Sequence, residues 1–328
     1  MTSLGNPPNP DVAEGPEGPQ EGAFPGQVPG APMEVTEAGQ VGGVGGLGKL
    51  VWRVFAENKL ALVSVGVVVF MLLFSFVGPH LYVTNQTTLV VTSVGQVLAH
   101  PSAQYPLGTD PNGYDILGRL MFAGATTLEI ALLAAGIATV FGVCFGAVSG
   151  YVGGVTDAVM MRIVDTILSV PTLFLLVVIA AILRPSFWLI VVIVALAAWL
   201  VPARLIRGES LTLRTREYVQ AVRAMGGGGA RIVARHIIPN AVGTIIVNAT
   251  FQLADAIGVL AALGFLGFGV PPPGSSWGQM LSQGITYAQA GDWWLIYPAG
   301  VFIILITVSF NYIGDALRDA FEVRLQRR

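Results

Sequence analysis

LIRGESLTLRTREYVQAVRAMGGGGARIVARHIIPN, residues 205–240, lies between two apolar runs, 186–206 and 241–268. It holds six of the chain's 17 Lys and Arg residues. Tyr218, Ala221, Val222 and Met225 recur at helical spacing, which predicts one apolar face on a short amphipathic helix. Gly226 follows the last of them, where a left-handed C-cap is expected. A second short helix is expected to start near Ala230 and end before Pro239. Two short helices joined by glycines would form a protruding knob ringed by Arg214, Arg216, Arg223, Arg231 and Arg235. The periodicity leaves two readings open: a basic loop lying on anionic lipid headgroups, or a docking surface for a soluble partner.

Outward from this stretch the chain is apolar. Of its 328 residues 54% are hydrophobic and only 11% charged, less than half the charge of a typical soluble domain, so most of it belongs in lipid. A spanning helix needs about 20 apolar residues. Six runs qualify, at roughly 60–78, 128–152, 163–183, 186–206, 241–268 and 294–314, which predicts an all-α membrane protein of six transmembrane helices. Pro171 and Pro202 should kink the spans that contain them. With both termini placed in the cytoplasm, 15 of the 17 Lys and Arg fall inside and only Arg119 and Arg184 outside. The expected arrangement is therefore multi-pass, in contact with lipid.

Residues 1–48 differ in kind. They hold six acidic residues and no Lys or Arg, and are rich in Pro and Gly, so they read as a disordered acidic tail before a six-helix domain at 49–328. GGVGGLGKL (42–50) imitates both G-x-G-x-x-G and a P-loop. Those motifs need a strand before and a helix after, and Leu50 stands where Ser or Thr should hold Mg²⁺, so no nucleotide is expected there. The lone Cys144 excludes an intrachain disulfide and reads as a small buried hydrophobe. A nucleic-acid partner is excluded because the basic residues sit beside apolar spans. Neither a metal-ligand nor a nucleophile–base constellation is legible, which argues against a membrane-embedded enzyme.

Within the spans, small residues recur every fourth position in the second one: Ala134, Ala138, Gly142, Gly146, Gly150 and Gly154. Such a stripe lets another helix backbone approach closely. In the fifth span, Thr244, Asn248, Gln252 and Asp255 share one helix face, either as interhelical glue or as the wall of a translocation path. Glu129 sits at the outer edge of the second span. Arg162 is within i,i+3 reach of Asp165, which predicts an ion pair, and Asp315, Arg318 and Asp319 repeat the pattern. Trp277, Trp293 and Trp294 fit an interfacial belt.

The loop resembles the coupling-loop signature of importer-type ABC permeases: Glu-Ala-Ala, a Gly four positions after the last Ala, and a Pro thirteen beyond. Here those positions are Gln220, Ala221 and Val222, then Gly226 and Pro239, with His236 where isoleucine is common. GTDPNGYDILGRL (108–120), GYVGGVTDAVMMRIVD (150–165), LGFLGFGVPPPGSSWGQML (263–281) and FNYIGDALRDAF (310–321) are similar to dipeptide/oligopeptide permeases of the C type. Tyr114 stands where that family commonly has Arg, and Leu260 where an acid is common. The resemblance covers nearly all of residues 50–328. It implies an ATPase-coupling loop carried by Glu217, Gln220, Ala221, Met225, Gly226, Arg231 and Pro239. It also implies a path lined by Asn248, Gln252 and Asp255. The implied partners are a homologous permease, two ABC ATPase subunits that bind the ATP and Mg²⁺, and an extracellular substrate-binding protein. The chain itself would bind no cofactor and catalyse nothing. Alternatives are another small solute, such as nickel complexes, or a self-contained carrier or channel. The second leaves the knob without a job and expects inverted repeats or rings of charged pore residues, neither of which is clear.

Overall fold

The computed structural model describes residues 52–82, 84, 97–183 and 185–326, with side chains as far as Glu322. The tail at 1–48, the glycine motif at 42–50 and Arg184 lie outside the described residues. Those described are helical throughout, apart from loops and one isolated bridge between Thr109 and Asp115.

Helix α1, Lys59–Phe76, starts at Asn58, whose side chain accepts from the amides of Leu60 and Ala61. Helix α2, Ile116–Val152, starts at Asp115, which accepts from the Gly118 amide at 3.0 Å. Its 37 residues reach about 55 Å at about 1.5 Å each, beyond a hydrocarbon layer of about 30 Å. The second span therefore begins twelve residues before the expected position 128. The small and polar residues of GRLMFAGATT dilute the apolar signal there without breaking the helix.

Two spans are bent. Helices α3, Gly154–Leu168, and α4, Thr172–Ile182, meet at 78° across Pro171. Helices α5, Phe187–Ala198, and α6, Leu200–Leu213, meet at 40°. Pro202 accounts for the second bend: it has no N–H to give the Ala198 carbonyl, and its ring crowds that oxygen. The freed carbonyl accepts instead from the Gln252 amide of the fifth span, the repair a kinked helix in lipid requires. Helix α7, Glu217–Ala224, forms the knob. Helix α8, Val242–Phe265, is followed by α9, Trp277–Ile285, and α10, Tyr297–Gln326. Among the described residues, four helices are long and apolar enough to cross a membrane, or up to six spans with each bent pair as one.

Helix α2 is the axis: α1, α5, α6 and α8 all pack on it, and α10 closes the bundle against α1 and α8. The small-residue stripe seats α6. A Cβ on Gly142 would come within 2.6 Å of the Trp199 carbonyl, and one on Gly150 within 2.6 Å of the Arg207 carbonyl. On Gly146 it would run into the Ala203 carbonyl. Gly154 lies beyond this seam, with open space around it.

Three expectations need correcting. Cys144 is exposed, on an outer apolar face with Leu133, Ile137 and Phe141, because the buried face of α2 is taken by the small residues. Asp165 pairs with Arg204 across helices, not with Arg162, because the bend at Pro171 leaves α3 beside α6. Trp277 and Trp294 are fully buried, and only Trp293 is half exposed, so they do not form a belt. Their indole nitrogens donate to the carbonyls of Leu120 and Thr109, which satisfies the one polar atom of each ring.

Candidate functional site

The knob begins where α6 ends. Arg214 caps α6, Arg216 precedes α7, and Glu217 places a carboxylate at the positive end of the helix. At the other end Gly227 donates to the Val222 carbonyl at 2.9 Å and Gly226 to that of Arg223 at 3.0 Å. Gly226 has φ +82, the left-handed cap expected from the sequence. Gly229 approaches the chain so closely that a Cβ would stand 2.9 Å from the Tyr151 ring.

The buried face of α7 is not the expected one. Val219 is buried and Val222 half-buried, against Val143, Ala147, Ile206, Ile232 and Ile237. Tyr218, Ala221 and Met225 point away, and Met225 is 79% exposed. Both stripes have helical spacing, and only the position of α7 over α2 and α6 selects between them.

The second knob helix also differs from expectation. Its α-turn, Gly229–Ile232, passes into a π-turn, Val233–Ile237, and a 3-10 turn, Ile238–Ala241, which runs straight into α8. It does not stop before Pro239, because the change in hydrogen-bond spacing removes the need for an amide there. A single helical rod thus extends from the knob through the fifth span.

Glu217, Gln220, Ala221, Met225, Gly226, Arg231 and Pro239 are all exposed on this knob. The Gln220 amide donates to the Arg214 carbonyl at 3.2 Å, a bond a carboxylate could not make, and so closes the end of α6. Arg216, Arg223, Arg231 and Arg235 are exposed and, among the described residues, form no ion pair. The outer surface therefore combines an apolar stripe, Tyr218–Ala221–Met225, with four free guanidinium groups. Such a surface suits a partner with an apolar notch and acidic rim.

The polar residues of α8 separate. Thr244 donates to Glu209 at 2.8 Å, and Gln252 is buried against the α5–α6 joint. Asn248 is half-buried, its Oδ1 enclosed and without a hydrogen bond. Asp255 is exposed on the bundle surface, next to Gly258, where a side chain would meet nothing. Glu129 is also exposed. An acid on a spanning helix belongs beside water or a partner, not lipid tails.

Sequence reading missed how a second set of groups pairs beneath the knob. Asp157 on α3 accepts from Arg207 on α6 through two bonds of 2.6 Å and from the Ser149 hydroxyl. Arg214 donates to the Gly150 carbonyl at 3.1 Å, capping α2. Fifty residues separate Asp157 from Arg207, so no local spacing rule reaches the pair.

At the opposite end of the bundle, Asp110 pairs with Arg119, whose guanidinium lies 5.0 Å from the Tyr114 ring. Tyr114, standing at the arginine place of the resemblance, thus faces a cation, and Leu260 is fully buried in the apolar core. Burial pushes the Asp115 carboxyl up, against hydrogen bonds from the Gly118 and Leu117 amides and from Tyr82 and Thr84.

Residues 142–327 match the family described as binding-protein-dependent transport system inner membrane component. Residues 46–101 match the N-terminal TM domain of oligopeptide transport permease C. The chain belongs to this permease family of ABC importers. The permease is 33% identical to the dipeptide transport system permease protein DppC of Bacillus subtilis over 84% of its own length and 85% of the relative's. It is 35% identical to the oligopeptide transport system permease protein OppC of the same organism, over 83% and 88%. A putative peptide permease protein of Brucella suis is 40% identical over 69% of this permease and 75% of the relative. A solved methionine ABC transporter chain in an inward-facing conformation is similar over 60% of this one, with 21% identity and TM-score 0.49. Permeases of this family work with ATPase and substrate-binding-protein partners.

Proposed function

We propose that this chain is one permease subunit of an ATP-driven importer of dipeptides or oligopeptides, with both termini in the cytoplasm. It pairs with a homologous permease, and the substrate path runs between the two. An extracellular binding protein delivers the peptide. Two ATPase subunits bind ATP and Mg²⁺, and one of them grips the knob through Glu217, Gln220, Ala221, Met225, Gly226, Arg231 and Pro239. The observation that carries this reading is the outward stripe Tyr218–Ala221–Met225 among four unpaired arginines, on a helix whose inner face is anchored to the bundle. The peptide substrate is supported by relatives whose names are those of peptide permeases. Asn248 and Asp255 of α8 are the candidate wall of the path, while Gln252 serves the α5–α6 joint.

In alternating access of this kind, ATP binding draws the ATPase subunits together and shifts the population of the two permease orientations. The knob receives that displacement and the continuous rod from Gly229 to Phe265 carries it into the fifth span. The test is Gly226→Pro. Proline cannot adopt φ +82, so the joint between the knob helices is lost. The expected result is at least a tenfold loss of peptide uptake in proteoliposomes holding the whole transporter, with the chain still in the membrane and ATP still hydrolysed. Normal uptake by that variant removes the knob from the mechanism.

A further inference from the structure

Gly153 and Gly154 join α2 to α3 with φ of +70 and +58. A joint of two glycines bends at little cost and by itself transmits little force. Contacts from α6, its cap Arg214 and the end of α2 cross it or lie beside it. Arg207 holds Asp157 through two bonds of 2.6 Å, and Ser149 of α2 donates to the same carboxylate. Ser210 donates to the Ala147 carbonyl at 2.9 Å and Glu209 accepts from Thr244 of α8 at 2.8 Å. Arg214 reaches the Gly150 carbonyl through the space at Gly153, where a Cβ would strike its Nη1.

Resting on the docking reading above, we propose that Asp157 and Arg207 are positioning residues that make α6, α2 and α3 one lever behind the knob. The short stretch 214–216 links α6 to α7, so a push on α7 enters α6 as well as the rod Gly229–Phe265. Asp157 is 8% exposed and Arg207 half-buried, so the pair is screened less than one on the open surface. Its bidentate geometry fixes the direction of α3 as well as its distance. With the pair intact, α3 follows α6. With the pair cut, the glycine joint absorbs the movement and the outward half of the span stays in place.

The test uses the assembled transporter in proteoliposomes, comparing wild type with Asp157→Asn, Arg207→Gln, the double variant and Arg207→Lys. Peptide uptake, ATP hydrolysis and co-purification of the ATPase subunits are measured on each. The expected result is a tenfold or greater loss of uptake in either single variant, with ATPase subunits retained and basal hydrolysis within twofold. The double variant should be no worse than either single one, and Arg207→Lys should recover about a third of wild-type uptake. Should Asp157→Asn not assemble, Arg207→Lys against Arg207→Gln carries the same comparison. Uptake within twofold of wild type in the single variants overturns the lever and leaves the docking reading standing. Failure of the ATPase subunits to co-purify with the wild-type chain overturns the docking reading, and the lever with it.

Discussion

At the knob end, α6 meets α2 through Gly142, Gly146 and Gly150 and meets α3 through the Asp157–Arg207 pair, whereas at the opposite end two buried indoles tie α9 to α2 and the loop before α10 to the loop before α2. Trp277 and Trp294 fill space and spend their N–H groups on backbone carbonyls. The glycine seam has no side-chain bulk to spend, and holds by backbone approach and charge-assisted bonds instead. A plug of large apolar rings is stiff, stable and indifferent to direction. A seam of small residues with a bidentate ion pair fixes an orientation, which the proposed lever requires.

The comparison can be broken first at the indoles. Trp277→Ala removes a fully buried side chain and is expected to cost about 4 kcal/mol. It should be read as a fall in the thermal midpoint of the detergent-solubilised chain, while Trp293→Ala, half exposed, leaves the midpoint unchanged. In the seam, Gly146→Val adds bulk against the backbone carbonyl of Ala203, an expected cost of about 3 kcal/mol. Gly136→Val on the same helix, where a side chain meets nothing, is the matched control. Equal midpoints for Gly146→Val and Gly136→Val would remove the seam from the account.

Two smaller effects sharpen it. Gln252→Leu strands the Ala198 carbonyl at the α5–α6 bend, at an expected cost of about 2 kcal/mol. Restoring an in-helix donor with Pro202→Ala in the same chain should return most of the loss. The smallest effect lies at Asp115. Its folded carboxyl is raised by burial, so the folded chain binds that proton more tightly than the unfolded one. Its contribution to stability is therefore fully present at acid pH and is lost as pH climbs through and above the ordinary carboxylate range. In a plot of midpoint against pH, Asp115→Asn should remove that decline and still cap α2 at Gly118.

Much of the fold was legible because it depends on local pattern. The six apolar runs, the bends at Pro171 and Pro202, the small-residue stripe and the left-handed Gly226 each follow from what a few neighbouring residues permit. The second span started earlier than its hydropathy suggested, since a helix end is set by a cap, here Asp115, and not by apolarity. The knob, the candidate site, was legible as a stretch of chain and not as a face. The residues expected on the knob are exposed there, yet Val219 takes the inward position, while Tyr218, Ala221 and Met225 face out. Gln252 was singled out as polar in a span, and its partner turned out to be the carbonyl that Pro202 left free.

The sequence alone determined how many apolar runs the chain holds, where they bend, and which loop carries surplus positive charge. Those properties come from composition and from dihedral limits within a few residues. Only the tertiary structure decided that Asp157 meets Arg207, that Asp165 meets Arg204, and that Trp277 and Trp294 turn inward while Cys144 turns out. Each of these depends on which helix faces which, and that was settled by the close approach of α6 to the glycines of α2. A polar or aromatic residue in a spanning helix carries no local mark of its direction. Its partner sits on another helix, tens of residues away, and the packing of the whole bundle selects it.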